Sequence, residues 1–151
     1  MYALTGHIKY DPTVESGNRT MFNPWWVIVT FSGDIAQMYT WFVMRRTGVR
    51  LQTPAWGAHI SVVRGEEPAD SGLWKKYDGA PVEVLIDPDV RTNGKHWWLR
   101  VHCEALKDMR VEMGLPREGT FNLHLTIGSP VTQHADNAIY ALNNFVRFPD
   151  Q

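Results

Sequence analysis

Hydrophobic and polar residues alternate along much of this chain. Between residues 4 and 10, Leu4, Gly6 and Ile8 fall on one side and Thr5, His7 and Lys9 on the other. That is the two-residue period of a strand. Residues 11–24 are rich in Gly, Asn, Ser and Pro and read as a loop. Trp25-Trp26-Val27-Ile28-Val29-Thr30-Phe31 is a continuous apolar run rich in β-branched and aromatic residues, the pattern of a buried strand. The period then lengthens. Ile35, Met38 and Phe42, with Tyr39 and Val43, recur at helical spacing up to Arg46. Ser32 or Asp34 stands where a cap belongs and Gly48 where the helix stops.

Beyond an irregular stretch at 50–57, further strands are expected at 58–63, 81–86, 95–105 and 123–127. In the third of these, Trp98, Arg100, His102 and Glu104 lie opposite Trp97, Leu99, Val101 and Cys103, and Asn93-Gly94 before it is a hairpin signal. Residues 70–78 read as a turn or short helix, 106–113 as a helix ended by Gly114 and Pro116, and 135–145 as a last short helix. The sum is six or seven strands with two or three helices, an α+β class, in one domain spanning 1–151.

Two of these strands carry the same four-letter pattern: His59-Ile60-Ser61-Val62 and His124-Leu125-Thr126-Ile127. Side chains at i and i+2 leave the same face of a strand. Each copy therefore offers an imidazole beside a hydroxyl, with apolar residues anchoring the strand from behind. One His-x-Ser/Thr match carries no weight in a chain with six histidines. Two matches, both with apolar residues at the second and fourth positions, do. The copies lie in different halves of the chain, and a loose half-and-half symmetry would set the two strands side by side at the centre.

The chemistry that suits such a pair is phosphodiester cleavage by an internal hydroxyl. A base takes the proton of the attacking hydroxyl, an acid protonates the leaving oxygen, and donors hold the charged phosphoryl oxygens. Two histidines with ordinary pKa values near about 6.5 fill the first two roles, and the Ser61 and Thr126 hydroxyls the third. The scheme requires no metal or cofactor. His102 and Glu104 share a strand face, but one histidine and one carboxylate are too few for a metal site.

Composition narrows the partners. A net charge of -1 argues against coating a long nucleic acid, which needs many basic contacts, and leaves room for a small anionic ligand. Seven tryptophans exceed what packing alone requires, so some are candidates for stacking on bases. Tyr10, just past the first strand, and Trp74, in a polar segment, are those candidates, with core packing as the plain alternative. Lys75, Lys76 and Arg64 are candidates for positive potential, with solvated surface as theirs. A single cysteine, Cys103, excludes an intrachain disulfide. The sequence begins without the basic start and apolar run of a signal peptide, and no stretch approaches the roughly 18 apolar residues of a membrane span. A soluble cytoplasmic protein is expected.

At its paired motifs the chain resembles the two-histidine (2H) phosphoesterase superfamily. A wider likeness runs through residues 4–11, Trp25-Trp26, 58–66, 73–79 and 123–128. There it is similar to the phage anti-CBASS nucleases, which destroy the cyclic oligonucleotide messengers of a bacterial suicide defence. The resemblance implies a bilobal α+β fold, two antiparallel-sheet lobes with flanking helices around a central cleft. It also implies metal-independent hydrolysis of 3′–5′ linkages in cyclic di- and trinucleotides such as 3′,3′-cyclic GMP-AMP, inside the infected bacterial cell. His59 and His124 would share the base and acid roles, and Ser61 and Thr126 would hold the scissile phosphate. Tyr10, Trp74, Lys75 and Arg64 would contact the substrate. Only the use of serine once and threonine once departs from a duplicated signature, and both donate an O–H. Two other readings stay open: a 2H enzyme acting on RNA ends, and a non-catalytic cyclic-nucleotide sponge.

Overall fold

The computed structural model describes residues 1–16, 19–22, 24–54 and 56–131. The six strands expected from periodicity are all there: β1 (Tyr2–Tyr10), β4 (Trp26–Thr30), β6 (His59–Arg64), β7 (Pro81–Ile86), β9 (Trp97–His102) and β10 (His124–Pro130). They are joined by two-residue edge strands, β5 (Leu51–Gln52) and β8 (Arg91–Thr92). The residues expected as a loop at 11–24 include a separate hairpin, β2 (Thr13–Ser16) with β3 (Arg19–Phe22).

Helix α1 (Gly33–Thr47) ends where expected, with Gly48 in the left-handed conformation (φ 73°) and its N–H bonded to the Met44 carbonyl. Ser32 occupies the N-cap position, though its side chain makes no capping bond, and Asp34 falls in the first turn. Helix α2 (Glu104–Glu112) starts two residues earlier than the spacing suggests, so Glu104 belongs to the helix rather than to the face of β9. The segment at 70–78 holds one short 3₁₀ turn, Ser71–Leu73, capped by Asp70. The helix expected at 135–145 lies outside the described residues.

All strand pairings are antiparallel, in the order β5-β10-β6-β4-β1-β7-β9-β8. A further pairing of β10 with β9 closes six strands, β10-β6-β4-β1-β7-β9, into a barrel, which removes their open edges. The class is α+β. Among the described residues no helix is long and apolar enough to cross a membrane.

One side of the sheet carries the main core. Ile8, Val27, Val29, Ile60, Val62, Leu99, Leu125 and Ile127 form a single buried cluster with Ile35, Ala36, Tyr39 and Val43 of α1 and Leu106 and Met109 of α2. Each buried aliphatic side chain there stabilises the fold by about 1.5–3 kcal/mol. Ile60, Val62, Leu125 and Ile127 are the apolar residues of the two motifs, so both copies are anchored as their pattern predicts. Strand alternation sends their neighbours His59, Ser61, His124 and Thr126 to the other face.

β1 and β4 approach closely at Gly6. A Cβ there would lie 2.5 Å from Val29 Cγ1 and 2.7 Å from the Thr30 carbonyl oxygen. Gly6→Ala is therefore expected to destabilise the protein by about 1–3 kcal/mol through overpacking. Urea unfolding with an unchanged slope and a lower midpoint would show it.

Candidate active site

The two motif strands are neighbours. In the register of β6 and β10, His59 stands opposite Thr126 and Ile60 opposite Leu125. One step further along this antiparallel ladder sets Ser61 beside His124. Each imidazole thus faces the hydroxyl of the other copy, and the four side chains form a square of alternating types on one face. Directly opposed residues have Cβ atoms about 4.5–5.5 Å apart, which is the scale of one phosphoryl group and its two bridging oxygens.

Both histidines are held the same way. His59 Nδ1 lies 3.0 Å from the Gly57 carbonyl oxygen, and His124 Nδ1 lies 2.8 Å from the Asn122 carbonyl oxygen. Each partner is two residues upstream. A carbonyl only accepts, so Nδ1 carries the proton in both rings. Nε2 is left as the working atom, a base when neutral and an acid when protonated.

Each histidine also has a tryptophan from the strand on its outer side. Trp26 of β4 meets His59 edge to face at 6.2 Å, and Trp98 of β9 meets His124 likewise at 6.4 Å. The two halves then diverge. His59 is buried, 9% exposed, whereas His124 is more open. Burial, above all, pushes the His59 pKa below its ordinary value. The positive charges of Arg64 and His124 push the same way, and the Gly57 carbonyl opposes them. His59 is accordingly the neutral imidazole at neutral pH.

Register continues this face outward. The row through His59 runs His7, Thr30, His59, Thr126, Trp98 and Arg91. Beside it, Lys9 pairs with Ile28 and Ile28 with Ser61, while His124 pairs with Arg100. Trp26 and Ile28 are buried yet stand outside the helix-side core, so they form a floor under the motif residues. A bulge in β6 falls here. Val27 pairs with Val63 and Ile28 with Ser61, which leaves Val62 as the extra residue.

Of the four substrate contacts expected from the sequence, Arg64 is set on this face by strand register. Arg64 pairs with Trp26, and its guanidinium lies 5.2 Å from that ring. Tyr10 has the opposite strand parity to His7 and Lys9. It packs in the helix-side core, 5% exposed, with its hydroxyl 3.8 Å from Met109 Sδ. Burial leaves it no ring face for a base, which corrects the stacking expectation in favour of packing. Trp74 meets Tyr10 and Trp25 edge to face, at 5.1 and 5.0 Å, and its indole N–H donates to Asp11 Oδ2 at 3.0 Å. Lys75 pairs with the same carboxylate at 3.7 Å. Trp74 and Lys75 are thus gathered at the end of β1 around Asp11, whose backbone N–H donates to the Trp26 carbonyl at 2.9 Å.

Sequence reasoning placed Trp26 in the core and gave no role to Trp98 or Arg100. Strand parity puts Trp98 and Arg100 on one face, but only the β9–β10 register sets that face beside His124. Among the described residues, no group of three or more His, Cys, Asp or Glu side chains is placed to hold a metal ion. Comparison of the chain with protein-family models, with curated proteins and with solved structures finds no match.

Proposed function

We propose that this protein is a phosphodiesterase of the two-histidine type. It cleaves 3′–5′ linkages of cyclic di- and trinucleotide messengers without a metal, on behalf of a phage in the cytoplasm of its bacterial host. The observation that carries the chemistry is the cross-strand square, with both Nδ1 atoms tied to carbonyls and, among the described residues, no hydrogen bond to either Nε2. The cyclic-nucleotide substrate rests on the sequence resemblance and on the near-zero net charge. The proposal includes the two-lobed architecture of that superfamily. In support, one motif strand comes from each half of the chain, and each has its own tryptophan-bearing outer neighbour.

In the reaction, His59 Nε2 takes the proton of a ribose 2′-hydroxyl as its oxygen attacks the adjacent phosphorus. His124 Nε2–H protonates the departing 5′-oxygen. Ser61 and Thr126 donate to the non-bridging oxygens as charge builds there. A 2′,3′-cyclic phosphate forms, and water opens it to a 3′-phosphate with the two histidines exchanging roles. The lowered pKa of buried His59 suits the first-step base, because the ring is already neutral.

The test is incubation with 3′,3′-cyclic GMP-AMP in excess chelator, with products separated by chromatography. Linear products with 3′-phosphate ends are expected. Intact ligand recovered after denaturation would point to a sponge instead. Turnover confined to RNA carrying 2′,3′-cyclic phosphate ends would move the substrate to RNA. Activity lost on chelation would overturn the metal-free scheme.

The same assay carries a pH prediction. A base with a lowered pKa must lose its proton before it works, so kcat/KM rises with pH through the His59 value. That acidic limb is expected below pH 6.5, the ordinary histidine value. A limb above 6.5 would take the base role away from His59.

A further inference from the structure

We infer that Trp26 is a positioning residue that fixes the direction of the Ser61 hydroxyl proton, and so makes the two halves of the site unequal. The inference rests on the reading of the motif square as a phosphodiester-cleaving site and goes beyond it.

The argument begins with donor counts. An indole N–H only donates, and a serine hydroxyl has one proton and two lone pairs. Trp26 Nε1 donates to Ser61 Oγ at 3.3 Å. That bond occupies an acceptor position of the oxygen and turns the serine proton away from Trp26. Among the described residues no acceptor takes that proton. It is left to point across the face that Ser61 shares with His59.

The indole is itself fixed. Trp26 is buried, its ring meets His59 edge to face, and the Arg64 guanidinium lies over it. One side chain therefore meets three groups of this half: the imidazole, the hydroxyl and the Arg64 guanidinium. A donor aimed before the substrate arrives needs no reorganisation when charge develops on the phosphoryl oxygen.

The other half lacks this device. Trp98 meets His124 in nearly the same geometry, yet among the described residues no side chain donates to Thr126. Thr126 is free to turn its proton toward whichever oxygen the substrate presents. Ser61 is the preset donor and Thr126 the adaptable one.

A double-mutant cycle of Trp26→Phe and Ser61→Ala tests this, with cyclic GMP-AMP as substrate. Phenylalanine keeps an aromatic ring and removes the N–H donor together with part of the indole's volume, and the cycle separates the two because only the donor acts through Ser61. Trp26→Phe is expected to lower kcat about tenfold with little change in KM, since the aimed proton matters in the transition state. In the Ser61→Ala background the same substitution is expected to have no further effect. An equal loss in both backgrounds, or no loss in either, would overturn the inference.

A second readout needs no substrate and leaves Trp26 in place. The indole Nε1–H resonance of Trp26 is expected to move in Ser61→Ala, and an unmoved resonance would overturn the inference. Wild-type protein that turns over no phosphodiester would instead count against the proposed function, while the resonance still reports the bond.

Discussion

Replacing either motif histidine with alanine is expected to lower turnover of a cyclic dinucleotide by about 10²–10⁴-fold, the range of a positioned proton-transfer group. The reason lies in the square. In the β6–β10 register each motif histidine stands across from the hydroxyl residue of the other motif. Under the proposed mechanism, His59→Ala would remove the acceptor for the attacking hydroxyl and His124→Ala the donor to the leaving oxygen. Groups that act as a unit are strongly non-additive, so the double variant should fall little below the worse single one. Substrate binding, followed by calorimetry, should change far less than kcat. Single variants that retain a tenth or more of the wild-type rate would sink the two-histidine mechanism. His7→Ala is the natural comparison. His7 shares the register row, but Thr30 stands between it and His59, and its loss is expected to matter little.

The second large effect is on stability. Arg110 of α2 is 2% exposed, and each of its three guanidinium nitrogens donates a hydrogen bond. Nη1 and Nη2 grip the Glu66 carboxylate at 2.8 and 2.6 Å, Nη1 also donates to the Val62 carbonyl at 2.8 Å, and Nε to the Pro116 carbonyl at 2.9 Å. Val62 is the extra residue of the β6 bulge, so the clip ties α2 to the strand that carries His59 and Ser61. Arg110→Ala would take its charged partner from the Glu66 carboxylate and a donor from each of the two carbonyls. Breaking such a pair from one side costs about 3–5 kcal/mol, which lowers the melting temperature by about 10 °C for a chain of this size. Glu66→Gln keeps the shape and should cost less. The Arg110 guanidinium also holds the Glu66 carboxyl below its ordinary pKa. The pair's contribution is complete above the unfolded value of 4.5 and is lost as pH falls through the lower folded value. Calorimetric melts of the variant and wild type, compared at pH 7 and at acid pH, would check both points. A variant that melts with wild type would overturn this account of the clip.

The legible part of this protein was its strand periodicity and its paired motifs. Ile60, Val62, Leu125 and Ile127 had to be buried for His59, Ser61, His124 and Thr126 to share the other face, and two-residue alternation requires that whatever the neighbours are. The hairpin at Thr13–Ser16 and Arg19–Phe22 was illegible because its Gly- and Asn-rich surroundings look like loop. The early start of α2 was illegible because Glu104 fits both the strand parity and a helix's first turn. Tyr10 shows how far parity reaches. Its alternation with Lys9 was in the chain, but without the register of β1 on β4 and β4 on β6 nothing said which face was the motif face.

By itself, then, the sequence determined what each strand offers: an imidazole and a hydroxyl on one side and apolar anchors on the other, twice. Local sterics and alternation suffice for that. Only the tertiary structure decided that β6 and β10 are partners and that His59 faces Thr126. It also decided that Trp26 reaches Ser61, that Arg64 joins the group and that Tyr10 turns to the core. Those are matters of register between strands far apart in the chain. Register is set by the joint packing of the whole core, and a shift of one residue would turn every one of these side chains to the opposite face.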